Sequence, residues 1–177
     1  TDGNVYFYAG NASKLYSLSG TTFTDVSIAG GYSTVADDVW EFAQFGQTAI
    51  ATNYTDAIQA VTIGSSPFAN LITSTNKPKA RHIAVVRDFV VLGNTNDTSD
   101  GERPSRVWWS GINDPLDFDP DVTTQCDYQD IPDGGAVQHV VGGVEYGLIY
   151  QESNIKRLTY VGSPLIFQLD AIDRARG

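Results

Sequence analysis

Few side chains in this sequence are strong nucleophiles or bases, the main ones being the single cysteine, Cys126, and two histidines, His82 and His139. A cysteine nucleophile needs a histidine close to it in space, and no hydrolase motif surrounds Cys126. We therefore interpret Cys126 as a small, partly buried residue. A lone cysteine also excludes an intramolecular disulfide and a multi-cysteine zinc site.

Aspartates are concentrated between positions 113 and 135, and four of them are candidate functional residues: Asp114, Asp117, Asp119 and Asp121. Crowded carboxylates could bind calcium, which prefers several oxygen ligands. Their order does not follow the D-x-[DN]-x-[DN]-G pattern, and aspartates also begin turns before proline and glycine. We expect a solvated acidic loop with no metal or cofactor, and calcium remains the alternative.

Carboxylates could also act as a pair in glycoside hydrolysis, one as the acid and the other as nucleophile or base. With 21 acidic residues some pair will be close by chance, and no pair stands out. The sequence contains no G-x-S-x-G, P-loop or H-E-x-x-H motif. We predict no catalytic residues and no enzymatic activity. A depolymerase is the least favoured of the functions considered for this chain.

The overall charge limits the partners of this 177-residue chain, because its net charge is −10. Proteins that grip phosphates present a basic surface, so tight nucleic-acid binding is disfavoured. An acidic protein can still surround DNA without holding it. No apolar run is long enough to cross a membrane. The chain contains no methionine and starts within a strand-like pattern, which suggests a piece of a longer protein.

Extended segments with alternating polar and apolar residues recur along the chain and are separated by turn residues. They form four successive units, and the polar residues that follow the central strands are Asn11, Asn53, Asn94 and Glu152, spaced by 42, 41 and 58 residues. The first two spacings match the roughly 40–50 residues of four-stranded propeller blades. We attribute the longer spacing to an acidic loop insertion over residues 113–135.

The predicted fold is therefore all-β, with β-propeller-like blades built from repeated antiparallel meanders. We predict a single domain over residues 1–177 with about four such blades. An irregular β-sandwich can imitate the same spacing and is the alternative.

Two adjacent tryptophans, Trp108 and Trp109, are predicted to point to opposite faces of one strand. One should enter the core, and the other is a candidate interface anchor together with the four aspartates. Burial of both is the simpler alternative. An exposed tryptophan would also suit an alternative function, that of a propeller binding module that recognises a carbohydrate or a host receptor.

Several short sequence segments, taken in their order along the chain, resemble a family of tailed-bacteriophage structural proteins. These are the tail nozzle or tail-hub components of the head-to-tail connector region. The similarity covers about Tyr6 to Gly177, and its main phrases are Tyr8-Ala9-Gly10, Trp40-Glu41-Phe42-Ala43-Gln44-Phe45-Gly46, Ile83-Ala84-Val85-Val86-Arg87-Asp88, Trp109-Ser110-Gly111-Ile112-Asn113 and Tyr146-Gly147-Leu148-Ile149-Tyr150-Gln151-Glu152.

The resemblance implies a virion protein of the phage tail with no catalytic residues. Members of the family form a homo-oligomeric ring, typically a hexamer, below the portal and adaptor proteins. The genome is ejected through the channel of this ring without sequence-specific binding, and tail spikes or fibres attach nearby.

Overall fold

The computed structural model describes residues 4–72 and 75–174, with the backbone alone at positions 173 and 174. The predicted domain of residues 1–177 thus includes residues 1–3, 73–74 and 175–177, which lie outside the described part. The strands are β1 (Phe7–Gly10), β2 (Leu15–Ser19), β3 (Thr22–Asp25), β4 (Glu41–Phe45), β5 (Thr48–Thr52), β6 (Gln59–Thr62), β7 (Ala69–Asn70), β8 (Lys79–Val86), β9 (Phe89–Asp97), β10 (Gly101–Trp109), β11 (Asp127–Asp130), β12 (Val137–Val141), β13 (Tyr146–Gln151), β14 (Asn154–Gly162) and β15 (Ile166–Arg174).

These strands form four antiparallel sheets, each made of consecutive strands: sheet I (β1–β3), sheet II (β4–β7), sheet III (β8–β11) and sheet IV (β12–β15). The all-β prediction and the four successive meanders are therefore confirmed. The only helix in the described part is a short 3-10 turn at Pro132–Gly134.

The sheets pack on one another in chain order through three apolar clusters. One joins sheets I and II around Leu15 and Ala51, and another joins sheets II and III around Ile50 and Leu92. The third joins sheets III and IV around Val91. Each inner sheet is covered by a neighbouring sheet on both faces. Since side chains alternate between the two faces along a strand, the strands of these sheets are nearly continuously apolar.

The four sheets do not close into a ring. Among residues 4–72 and 75–174, no core cluster joins sheet I to sheet IV. The first strands of the later sheets nevertheless adjoin, since β4 contacts β8 and β8 contacts β12. This stacked arrangement is compatible with blades and with the sandwich alternative, but it is not a closed propeller.

The junction between β8 and β12 requires a glycine. The Arg87 N–H donates to the Gly143 carbonyl at 2.8 Å, and Gly142 lies directly against the Val85 carbonyl oxygen. A β-carbon at position 142 would overlap that oxygen, so only glycine permits this close approach of the two backbones.

The structure differs from the sequence prediction mainly in sheet III. The polar stretch from Asn94 to Pro104 is an extension of the β9–β10 hairpin. The segment 113–135, expected to be a loop insertion, contains β11, which pairs with β10 as the outer strand of the sheet. All four side chains of β11 are exposed, so no alternation marked it as a strand.

Candidate functional site

Trp108 and Trp109 lie on opposite faces of β10, as the alternation of a strand requires, and each is only 2% exposed. The Trp108 ring packs against Tyr128 with ring centroids 4.8 Å apart. The Trp109 indole donates from Nε1 to the Gln125 carbonyl at 2.9 Å and packs edge-on against Phe167. Both tryptophans belong to the core, and neither offers a surface to a partner or a carbohydrate.

The four candidate aspartates mainly organise local turns. Asp114, Asp117 and Asp121 each accept a backbone N–H two residues further along, at 2.9, 3.0 and 2.6 Å. Asp119 accepts the N–H groups of Thr75 and Asn76 and so fixes this segment to the start of sheet III. Within the described residues they form no group of three or more acidic, cysteine or histidine side chains placed to share an ion.

The segment 113–135 contributes to the core as well as to the surface. Phe118 is fully buried, and Cys126 and Ile131 are nearly so. Burial is the main cause that raises the pKa of the Cys126 thiol to about 12. A hydrogen bond with Trp108 opposes this rise, and the charges of Asp117, Asp127 and Asp119 add to it. A thiol in this state is a poor nucleophile, which agrees with a structural role for Cys126.

A different group of ionisable side chains converges where three sheets meet: Glu41 of β4, His82 of β8 and His139 of β12. Glu41 Oε1 lies 2.8 Å from His82 Nδ1 and 3.4 Å from His139 Nδ1. One ligand atom from each residue lies within 4.8 Å of the other two. The histidine rings are edge-to-face, with centroids 5.7 Å apart.

The Glu41 carboxylate is held in place from the opposite side. Its Oε2 accepts the backbone N–H of Ile83 at 3.1 Å, an otherwise outward-facing donor of the edge strand β8. Burial alone would raise the pKa of Glu41, but the hydrogen bonds and charges of His82, His139 and Ile83 outweigh it and lower that pKa below its ordinary value. Glu41 is therefore a fixed, ionised carboxylate.

The group opens to solvent on the side of His139. The side chains of Glu41 and His82 are 18% and 15% exposed, whereas that of His139 is 52% exposed. An open groove of about 370 Å³, lined by residues of β4, β8 and β12, includes Glu41 and His139. A small ion could reach Glu41 and His139 through this groove.

Sequence reasoning missed this group, although a signal was present. Glu41, His82 and His139 are separated by 41 and 57 residues, close to the 41 and 58 residues between Asn53, Asn94 and Glu152. The three residues thus occupy equivalent places on the first strands of sheets II, III and IV. Within residues 4–72, sheet I has no strand that corresponds to β4, so three sheets rather than four contribute.

The two outermost sheets present apolar side chains on their outer faces. On sheet I, register places Phe7 opposite Leu18 and Leu18 opposite Phe23, so the three form one row across the sheet. Phe7 and Phe23 are 60% and 57% exposed. Side chains of this size are rarely left exposed together on an isolated soluble protein.

Sheet IV has a comparable outer face. Val141 pairs with Leu148, and Tyr150 pairs with Ile155, so these four side chains point away from the core on the same side. Tyr146 and Val161 extend the face and are each 47% exposed. We call the outer faces of sheets I and IV the two end faces of the molecule.

Comparisons with known proteins give no identification: no protein-family model matches this chain, and no curated protein sequence matches it. In the described part of the chain, no helix is both long enough and apolar enough to cross a membrane. Inferences about function therefore depend on the geometry above and on the resemblance of the sequence.

Proposed function

We propose that this protein is a structural subunit of a bacteriophage tail, part of the nozzle or hub ring through which the genome is ejected. The observation that carries the proposal is the pair of apolar end faces on an open stack of four sheets. Each inner junction joins two sheet faces through an apolar cluster, and within residues 4–72 and 75–174 the end faces present further exposed apolar side chains, including Phe7, Phe23, Tyr146 and Val161.

The occupant of each end face is a second copy of the same chain. Sheet IV of one copy packs on sheet I of the next, which continues the packing already used between sheets II and III. Such an interface is heterologous, because two different surfaces meet, and it produces a closed ring when the rotation between copies allows closure. The resemblance of the sequence to nozzle proteins supports a ring, typically a hexamer, in the virion.

Two further observations support a structural role over catalysis or ligand recognition. The predicted interface tryptophans are buried, so neither Trp108 nor Trp109 offers a surface for carbohydrate or receptor binding. Asp117 and Asp119, the acids singled out for a depolymerase, accept backbone N–H groups, Asp117 in a local turn and Asp119 from Thr75 and Asn76. The net charge of −10 suits a channel that lets DNA pass without retaining it.

Charged substitutions on the end faces test this assembly. We expect Phe7→Asp, on sheet I, and Tyr146→Asp, on sheet IV, each to abolish self-association, because an aspartate at either face must be desolvated in the interface. Val122→Asp is the matched control, since Val122 is 81% exposed but lies on neither end face. Mass photometry measures the oligomers, and circular dichroism verifies folding.

Mixing the two variants gives a sharper result. Each retains one intact end face, so an equimolar mixture should form a one-to-one heterodimer and nothing larger. A wild-type protein that stays monomeric when concentrated, or a mixture that stays monomeric, would contradict the proposed interface. For the biological assignment, mass spectrometry of purified phage particles should detect this protein in the tail, and its absence from the virion would refute the tail role.

A further inference from the structure

We propose that Glu41, His82 and His139 form a binding site for a divalent transition-metal ion of the Zn²⁺ class. The site is independent of the tail assignment, because it is inferred from three side chains and their geometry alone. Two imidazole nitrogens and one carboxylate oxygen are a donor set that Zn²⁺ favours, whereas Ca²⁺ and Mg²⁺ prefer oxygen donors.

The distances suit an ion at the centre of the group. In a tetrahedral site with bonds of about 2.0–2.1 Å, neighbouring ligand atoms lie about 3.3 Å apart. The separations of 2.8 and 3.4 Å from Glu41 Oε1 to the two Nδ1 atoms are close to this value. Small side-chain rotations would bring all three donors to bonding distance, and the open groove leaves a fourth position for water.

The surroundings already provide the support that metal ligands usually need. The Ile83 N–H holds the second oxygen of Glu41, leaving Oε1 directed at the histidines. Outer contacts of this kind orient a ligand and strengthen binding. Moreover, both histidines of the chain are in this group, and they occupy equivalent positions on successive sheets.

A bound ion would join the first strands of sheets II, III and IV. Those strands belong to three separate sheets, so the ion would connect sheets that otherwise meet through apolar packing and a few hydrogen bonds. Binding to the folded state alone raises its stability. The bound ion would thus be a structural crosslink between the first strands of sheets II, III and IV.

Titration with Zn²⁺ tests the site, using protein freed of any histidine tag and dialysed against a chelator. Calorimetry should show one equivalent of Zn²⁺ per chain, and the ion should raise the unfolding temperature. His139→Ala and Glu41→Gln should each weaken binding at least about tenfold, because each removes one of three donors. The control Glu145→Gln, an exposed acid in the β12–β13 turn, should bind like the wild type.

His139→Ala and His139→Cys separate a metal site from a hydrogen-bonded cluster. His139 is half-exposed, so the metal-free His139→Ala protein should unfold at the wild-type temperature but gain nothing from Zn²⁺. His139→Cys supplies a thiolate donor and should restore binding, with a thiolate charge-transfer band when Co²⁺ is used. Absence of saturable Zn²⁺ binding, or equal affinity in His139→Ala and the wild type, would overturn the proposal.

Discussion

At the scale of single residues, the groups that looked reactive in the sequence are mostly occupied by structural contacts. Cys126 is buried beside Trp108 and Phe118, and Asp119 holds the backbone of residues 75–76. By contrast, His82 and His139, which the sequence offered only as possible partners of Cys126, converge instead with Glu41. The surroundings of a residue, more than its type, decide which chemistry it can support.

The thiol of Cys126 should be almost inert in the folded protein. Its pKa of about 12 leaves little thiolate at neutral pH, and its burial blocks access to reagents. We expect iodoacetamide to modify Cys126 only after unfolding in urea, as measured by mass spectrometry over time. Rapid modification of the native protein, with circular dichroism unchanged, would show that the thiol is accessible.

At the scale of elements, Arg106 connects three strands of sheet III. Its guanidinium contacts Asp97 of β9 at 3.4 Å and Asp130 of β11 at 2.7 Å, and it also contacts Asp100 in the turn between β9 and β10. Arg106 and Asp97 are almost fully buried, whereas Asp100 and Asp130 are partly exposed. The positive charge of Arg106 therefore compensates the buried carboxylate of Asp97, which could not otherwise stay ionised inside the sheet.

Replacing Arg106 with methionine should destabilise the protein strongly. Asp97 would keep its buried carboxylate without its cation, a loss of about 3–5 kcal/mol in the free energy of unfolding. Arg103→Met is the control, because Arg103 is exposed and lies 3.8 Å from Asp100, an arrangement worth less than about 1 kcal/mol. Urea unfolding measures both variants, and equal effects would contradict the role assigned to Arg106.

Most strands could be predicted from the sequence, because an alternating strand next to a turn leaves a clear pattern. The pairs β4–β5 and β8–β9 are examples, with turns at Gly46-Gln47 and Arg87-Asp88. β7 and β11 left no such pattern, since their side chains are exposed. The site at Glu41 required knowledge of how sheets pack, which depends on contacts between residues far apart in the sequence.

At the scale of the whole molecule, the acidic charge and the apolar end faces have opposite effects on assembly. Each copy carries a net charge of −10, so two copies repel each other at long range. The end faces attract only at contact, through burial of side chains such as Phe7 and Tyr146. Assembly therefore depends on how far the repulsion is screened.

Self-association should strengthen as salt is added. At about 0.15 M ionic strength charges are screened beyond roughly 8 Å, whereas apolar contacts are not weakened. Sedimentation velocity at increasing NaCl concentration should show a growing oligomer fraction in the wild type, and Phe7→Asp should stay monomeric throughout. A wild-type oligomer that dissociates as NaCl rises would instead indicate an interface held by ion pairs.

The consecutive order of strands within each sheet also has a consequence for biosynthesis. Every strand from β1 to β15 pairs only with strands next to it in the sequence, so each described sheet forms from one continuous stretch of chain. Contacts that are local in sequence form quickly, and folding can follow the order in which the ribosome releases the polypeptide. Each finished sheet then provides a template face for the one that emerges after it.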